Sequence, residues 1–331
     1  MRESLFIKKN LSRWKKYQEE PTDDPDEMAE RFVSVLDDLS YAKTFYSFSK
    51  VTRYINGIAA SIYHRIYQNR KEDVGRFQLF FKYELPLLFR KYHRLLLFTL
   101  AFFLLFCIIG AFSSAHDETF VRGVLGDEYV NMTERNIANK DPFGVYKDGN
   151  PILMFFQIAY NNIMVSFYCY IGGIFLGMGS LYLLMRNGVM LGVFQYIFFS
   201  HGLGWKSILV IWIHGTLEIS SIVIAGCAGI IMGKSILFPG TRKRLDSLRK
   251  GAKDGIKIMV TLIPVFIVAA ILESFVTRYT EMPLALSLFI LLSSLAFILG
   301  YFIFYPIYLH KKGYRLSAEG KVLTPFILSK Q

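Results

Sequence analysis

The sequence predicts an all-α polytopic membrane protein: six transmembrane helices, the third of them short, behind an N-terminal helical segment that stays cytoplasmic or interfacial. Three observations predict it. The 331-residue chain is 53% hydrophobic and only 19% charged, where a soluble protein carries about 25% charged residues. The missing charge is missing in blocks from residue 95 onward, several of them longer than the roughly 18 apolar residues that mark a span. The basic residues gather beside those blocks: residues 1–94 hold 18 Lys/Arg against 13 Asp/Glu, and 234–257 hold 8 against 2. Basic segments flanking spans are what the positive-inside rule produces, and they do not form a nucleic-acid surface. An ordinary soluble enzyme is excluded.

The first 94 residues read as helices. Ile7, Leu11, Trp14 and Tyr17 form one stripe among lysines and arginines, which suits either a helix lying on an anionic membrane or one packed within the segment. Asp24-Pro25-Asp26-Glu27 is a helix start, with proline in the first turn and acids at the positive dipole end; Met28, Phe32, Val35, Leu36 and Leu39 then keep the helical period. Ile55, Ile58, Ile62 and Ile66 mark a third helix. Phe77, Phe80, Phe81, Leu85 and Leu88 mark a fourth, aromatic and interfacial, with a kink expected at Pro86. With no signal peptide ahead of this segment, the first span is expected to serve as the targeting signal.

The membrane domain is expected over residues 95–312. Its first span is Leu95 to Phe112, followed by an acidic outer loop, 113–152, with a short helix from Asp127 to Ile137. The apolar run Ile152 to Met185 would make a helix of about 50 Å, too long for a hydrocarbon core about 30 Å thick, so a break is expected at Asn161-Asn162. Val189 to Phe199 is the short third span; it must cross, because otherwise the basic loop 234–257 would face outward. Ser207–Gly233, Ile256–Val276 and Leu284–Leu309 complete six spans. Both termini are then cytoplasmic, including a tail over 313–331.

Two features resist a purely apolar reading. Glycines recur at spacing four: Gly173 and Gly177, Gly188 and Gly192, Gly229 and Gly233. They allow close helix packing, either within the chain or across a homodimer. The second feature is His214 and Glu218, one helical turn apart inside the fourth span, with Asn161, Asn162 and Asn187 as candidate partners. A carboxylate there costs several kcal/mol unless paired or protonated. The pair should titrate as a unit, and is either a polar clamp or the seat of a proton relay, ligand pocket or switch. Glu273, near the outer end of its span, is expected to snorkel outward. Histidine and glutamate at this spacing without a third ligand do not make a metal site. Cys107, Cys169 and Cys227 lie in apolar blocks without metal-like spacing. No cofactor motif and no nucleophile–base pair is visible, so no enzyme is expected.

Several of these residues together resemble a known family. Asn161-Asn162-Ile163, Gly172-Gly173-Ile174 through Gly177, Arg186-Asn187-Gly188 with Leu191-Gly192, His214-Gly215-Thr216-Leu217-Glu218, Ala225-Gly226-Cys227-Ala228-Gly229 and Pro239-Gly240 resemble the integral membrane family of stage II sporulation protein M. Phe6, Trp14 and Asp37-Asp38-Leu39-Ser40-Tyr41-Ala42 fit its longer members. The resemblance implies work beside cell-wall hydrolases at the septum in spore formers, or beside a MoxR-type ATPase system in other bacteria. It leads to the expectation of a scaffold or membrane-remodelling partner in an envelope complex. A channel or transporter for a small solute, proton or ion, built around His214 and Glu218, is the alternative.

Overall fold

The computed structural model describes residues 1–22, 24–68, 75–147, 149–317 and 320–324. They divide into two compact units, residues 1–77 and 78–331.

The first unit contains three helices, α1 (Glu3–Glu19), α2 (Pro25–Phe45) and α3 (Lys50–Gln68). The Asp24 carboxylate accepts from the Asp26 amide at 3.0 Å and caps α2, as the Asp-Pro-Asp-Glu start requires. Phe6, Trp14, Val35, Leu39, Ile55, Ile58 and Ile62 build one core. The stripe on α1 is therefore packed rather than laid on lipid. Trp14 is fully buried and its indole N–H donates to Asp38 Oδ2 at 2.7 Å. Asp38 also pairs with Arg13 at 2.5 Å, so the basic face of α1 is tied to α2 at this point.

Among the described residues of the whole chain, six helices are long and apolar enough to cross a membrane. They are α4 (Arg76–His116), α7 (Pro151–Ile174), α8 (Met178–Ser200), α9 (Gly204–Leu237), α10 (Arg244–Val276) and α11 (Leu284–Lys311). Two short helices, α5 (Glu118–Leu125) and α6 (Asp127–Ala138), follow α4 and lie over one end of the bundle. Two-thirds of the apolar window of α9 is buried, against 22% in α4 and α11, so α9 is the central helix. A short antiparallel pair, Arg315 with Leu323 and Leu316 with Val322, follows α11. The end of the expected tail, 325–331, lies outside the described residues.

The six-span count holds, with four corrections to its detail. The first unit ends at Phe77 rather than at residue 94, because the aromatic interfacial stretch is continuous with the first span in α4. Pro86 is absorbed by a π-turn at Phe80–Glu84: Leu85 reaches back to the carbonyl of Phe80, and the tyrosines of α11 take the carbonyls thus released. Tyr301 donates to Phe81 O at 2.7 Å and Tyr305 to Lys82 O at 3.0 Å.

The expected break at Asn161-Asn162 does not occur. Helix α7 runs through both residues and the chain reverses at 172–177, where Leu176 and Gly177 have φ of 54° and 86°. An asparagine breaks a helix when its side chain competes for the local backbone; the Asn162 amide is engaged elsewhere, as described below. The third span is accordingly α8, 23 residues long, and not short. Asn187 satisfies its own amide on Leu183 O at 2.8 Å, so it does not end the helix. Finally, the basic loop 234–257 is mostly helical. Only 238–243 separate α9 from α10, and the charges beyond lie along the first turns of α10. There Lys91 and Tyr92 of α4 both reach Asp254 at 2.7 Å, and Lys257 pairs with Glu84.

The glycine pairs are spent within the chain. A Cβ on Gly173 would overlap the backbone of Gly229, and one on Gly233 the backbone of Gly177. Gly188 faces the Phe103 carbonyl and Gly192 the Cys107 carbonyl of α4. Two seams result, one locking the α7–α8 turn onto α9 and one locking α8 onto α4. All six of these glycines meet backbone of their own chain, so packing against a second copy is not their role.

Candidate functional site

The polar groups buried in the bundle converge from three helices. Asn162 of α7 donates its amide to Glu218 Oε1 of α9 at 2.6 Å. His214, one turn away on α9, places Nδ1 3.0 Å from the hydroxyl of Thr277, just past α10. Its Nε2 lies 3.8 Å from Glu273 Oε1. One ligand atom each from His214, Glu218 and Glu273 fall within 4.8 Å of one another.

Glu273 thus does not snorkel outward; its side chain is only 16% exposed and turns inward. Helix phase is the cause: Glu273 follows the fully buried Leu262, Phe266 and Ala269 in steps of four, three and four residues, which sets it on the inward face of α10. A π-turn at Leu272–Val276, in which Thr277 N bonds the carbonyl of Leu272 at 2.8 Å, ends the helix just beyond it. Of the sequence candidates, His214, Glu218 and Asn162 are brought together. Asn161, the residue before it on α7, is exposed, and Asn187 stays on its own helix.

Three residues of the site lie outside the candidate cluster read from the sequence. Glu273 is marked by its charge inside an apolar span and by its phase with the buried Leu262, Phe266 and Ala269; Thr277 follows four residues later, just past the π-turn. Tyr146 comes from the outer loop, in a 3₁₀ turn at Gly144–Tyr146, and stacks edge-on against the His214 ring at 5.7 Å. The loop is held down by Arg278, whose guanidinium donates to the carbonyls of Lys147 at 2.5 Å and Gly149 at 3.2 Å. Burial pushes the Tyr146 phenol well above its ordinary range, and the charge of Glu273 adds to that. Tyr129 of α6 is likewise pushed up to about 12, again first by burial. Both phenols stay neutral and cover the cluster as apolar rings with a proton to give.

A second polar contact joins α8 to α9 nearer the same end. Gln195 donates to Ser207 Oγ at 2.5 Å and accepts from the Trp212 indole at 3.1 Å. It satisfies itself and offers nothing further. The three-helix cluster is different: two carboxyls and an imidazole share one small space without closing a complete set of hydrogen bonds among themselves.

The comparisons with known proteins bear on this region. A family model described as Stage II sporulation protein M matches residues 99–278, more than half of the chain, and the match contains His214, Glu218, Asn162 and Glu273. A second model, described as a domain of unknown function (DUF8413), matches residues 4–68, the three-helix unit. No match was found among curated proteins or among solved structures. On the extent of the first match, the chain belongs to the stage II sporulation protein M family.

Proposed function

We infer that the protein is a multi-pass scaffold of the bacterial inner membrane, working as a partner in an envelope or peptidoglycan-related complex. The observation that carries this reading is the pair of glycine seams. Backbone-to-backbone contact closes α8 against α4 at Gly188–Phe103 and Gly192–Cys107, and along Gly173–Gly229 and Gly177–Gly233 it leaves no room for a water-filled path between the α7–α8 turn and α9. Two cavities on its other side, of about 530 and 280 Å³, have almost wholly apolar walls facing α11 and do not reach His214, Glu218 or Glu273. They suit lipid tails rather than a hydrated solute.

The first unit supplies a surface for partners. Phe48 is fully exposed, and Phe45 and Val33 are more than half exposed, on a unit that already has its own core. The charge bias supports a cytoplasmic position for this unit and the basic start of α10, and an outer one for α5, α6 and the Tyr146 loop. Cell-wall hydrolases and a MoxR-type ATPase system are the partners the family relationship suggests. A second copy of the chain would need a face other than the six seam glycines.

Two measurements on native membranes and on purified protein test the reading. Cross-linking and pull-down should return a defined set of envelope proteins, and proteoliposomes should remain sealed to protons and small ions. A flux that vanishes in Glu218→Gln would instead make the protein a transporter.

A further inference from the structure

We propose that His214, Glu218 and Glu273 form a binding site for a divalent first-row transition-metal ion, with zinc, manganese and iron(II) as the class. His214 Nδ1 lies 3.0 Å from the Thr277 hydroxyl, which is itself 3.2 Å from the Leu272 carbonyl. With the hydroxyl hydrogen on that carbonyl, the Thr277 oxygen accepts from Nδ1–H, the tautomer that metal binding through Nε2 requires. Nε2 then carries a lone pair, and it faces Glu273 Oε1 at 3.8 Å.

Two lone pairs facing each other repel unless a proton or a cation lies between them. A separation of 3.8 Å is too long for a hydrogen bond. It suits two ligands on one ion with bonds of about 2.0–2.2 Å. Glu218 supplies the third ligand atom within the same 4.8 Å span.

The charge balance points the same way. Two carboxylates and a neutral imidazole around a doubly charged cation sum to zero, the condition that low-dielectric surroundings favour most. One nitrogen and two carboxylate oxygens is a borderline-to-hard ligand set that suits zinc, manganese or iron(II). Calcium and magnesium are disfavoured by the imidazole.

Each ligand is also held from behind, as metal ligands are. Thr277 holds His214 at Nδ1, the Asn162 amide orients Glu218 at 2.6 Å, and Glu273 stands on the buried face of α10 with Leu262, Phe266 and Ala269. The Tyr146 ring and its Arg278-pinned loop cover the side from which an ion would enter.

The test uses the full chain purified in detergent, stripped with a chelator and equilibrated with micromolar zinc or manganese. Metal content should reach one ion per chain. Glu273→Gln, Glu218→Gln and His214→Gln should each lower affinity at least tenfold. Asn162→Ala, which touches only the carboxylate, should cost about 10–100-fold. Glu273→His, which restores a ligand, should regain binding.

Cobalt(II) in the wild-type protein should show nitrogen and oxygen ligation without thiolate charge transfer. Copper(II) read by pulsed EPR should show one coordinated imidazole. Substoichiometric metal in the wild type would overturn the proposal, as would unchanged binding in the three ligand variants. If those variants fail to fold, the absence of an imidazole signal in wild-type protein would overturn it. None of these readings depends on partner capture or vesicle leakage, so the site and the scaffold reading fail separately.

Discussion

Asn162 on α7 donates its side-chain amide to Glu218 on α9 at 2.6 Å, and through that one contact the second span is tied to the central helix. Glu218 meets Glu273, and so the link continues to α10. Three helices are joined by side chains that each cost free energy to bury alone. Losing a partner therefore weighs more than losing the bond itself.

The first prediction separates shape from charge at Glu218. Glu218→Gln keeps the side chain's size and an oxygen able to accept from Asn162. Helix assembly should survive it, with a thermal midpoint in detergent close to wild type. Glu218→Leu removes the acceptor and leaves the Asn162 amide without a partner, a loss of about 1 kcal/mol of interhelical bonding. A Gln variant that unfolds as readily as the Leu variant would show that charge at this position holds the bundle.

A second prediction concerns the basic end. Asp254 accepts from both Lys91 and Tyr92 at 2.7 Å and is nearly buried. Asp254→Ala leaves two donors on α4 facing α10 with no acceptor, at a cost of about 1–3 kcal/mol. Half of that deficit should return in Lys91→Met/Asp254→Ala, since the lysine no longer faces an apolar wall as a lone charge. Unfolding of the single and double variants in detergent checks it; additive losses would mean the two groups are not coupled.

How far the sequence carried can be argued from particular residues. The six crossings were legible because apolar blocks and basic flanks are properties of composition. His214 and Glu218 were legible because a charge inside an apolar block is conspicuous. Asn162 was visible as a candidate but was misread as a helix breaker; which of two adjacent asparagines faces α9 is a matter of helix phase. Glu273 was misread outright. Its distance from the span end suggested an outward path, whereas its phase with Leu262, Phe266 and Ala269 sets it on the buried face of α10. Tyr146 lay in an acidic loop, 68 residues before its ring partner in numbering, and tertiary contact alone brings it to His214. The glycines were legible as close-packing positions, whereas their partners were not: Phe103 and Cys107 offer backbone carbonyls, which every residue has.

Topology is tested by labelling. Thr241, between α9 and α10, and Asp127, at the start of α6, are both exposed. With Cys107, Cys169 and Cys227 replaced, Thr241→Cys and Asp127→Cys should react oppositely with a membrane-impermeant maleimide on intact cells. Asp127→Cys should label from outside and Thr241→Cys only after lysis, as the charge bias of 234–257 requires. Outside labelling at both positions would contradict the three crossings, α7, α8 and α9, that separate them.

The last prediction contrasts two mid-helix glycines in opposite surroundings. Gly57 lies in mid-helix in α3 with nothing within 4 Å of where a Cβ would be. Alanine there adds no contact and removes conformational freedom from the unfolded chain. Gly57→Ala should therefore stabilise the first unit by about 0.5–1 kcal/mol. Gly229 is the opposite case. Its Cβ would press on the Ser180 hydroxyl, which donates to the Cys169 carbonyl at 2.6 Å, and on that carbonyl itself. Backbone cannot retreat here without parting the α7–α8 turn from α9, since Gly173 sits against Gly229 from the same side. Gly229→Ala should cost about 1–3 kcal/mol, the range for overpacking a filled interior, and Gly229→Leu should prevent assembly of the bundle. Thermal unfolding of the two alanine variants, each against wild type, reads both signs in one experiment. A Gly229→Ala protein as stable as wild type would mean that the seam is looser than backbone contact, and the argument for a closed bundle around α9 would fall with it.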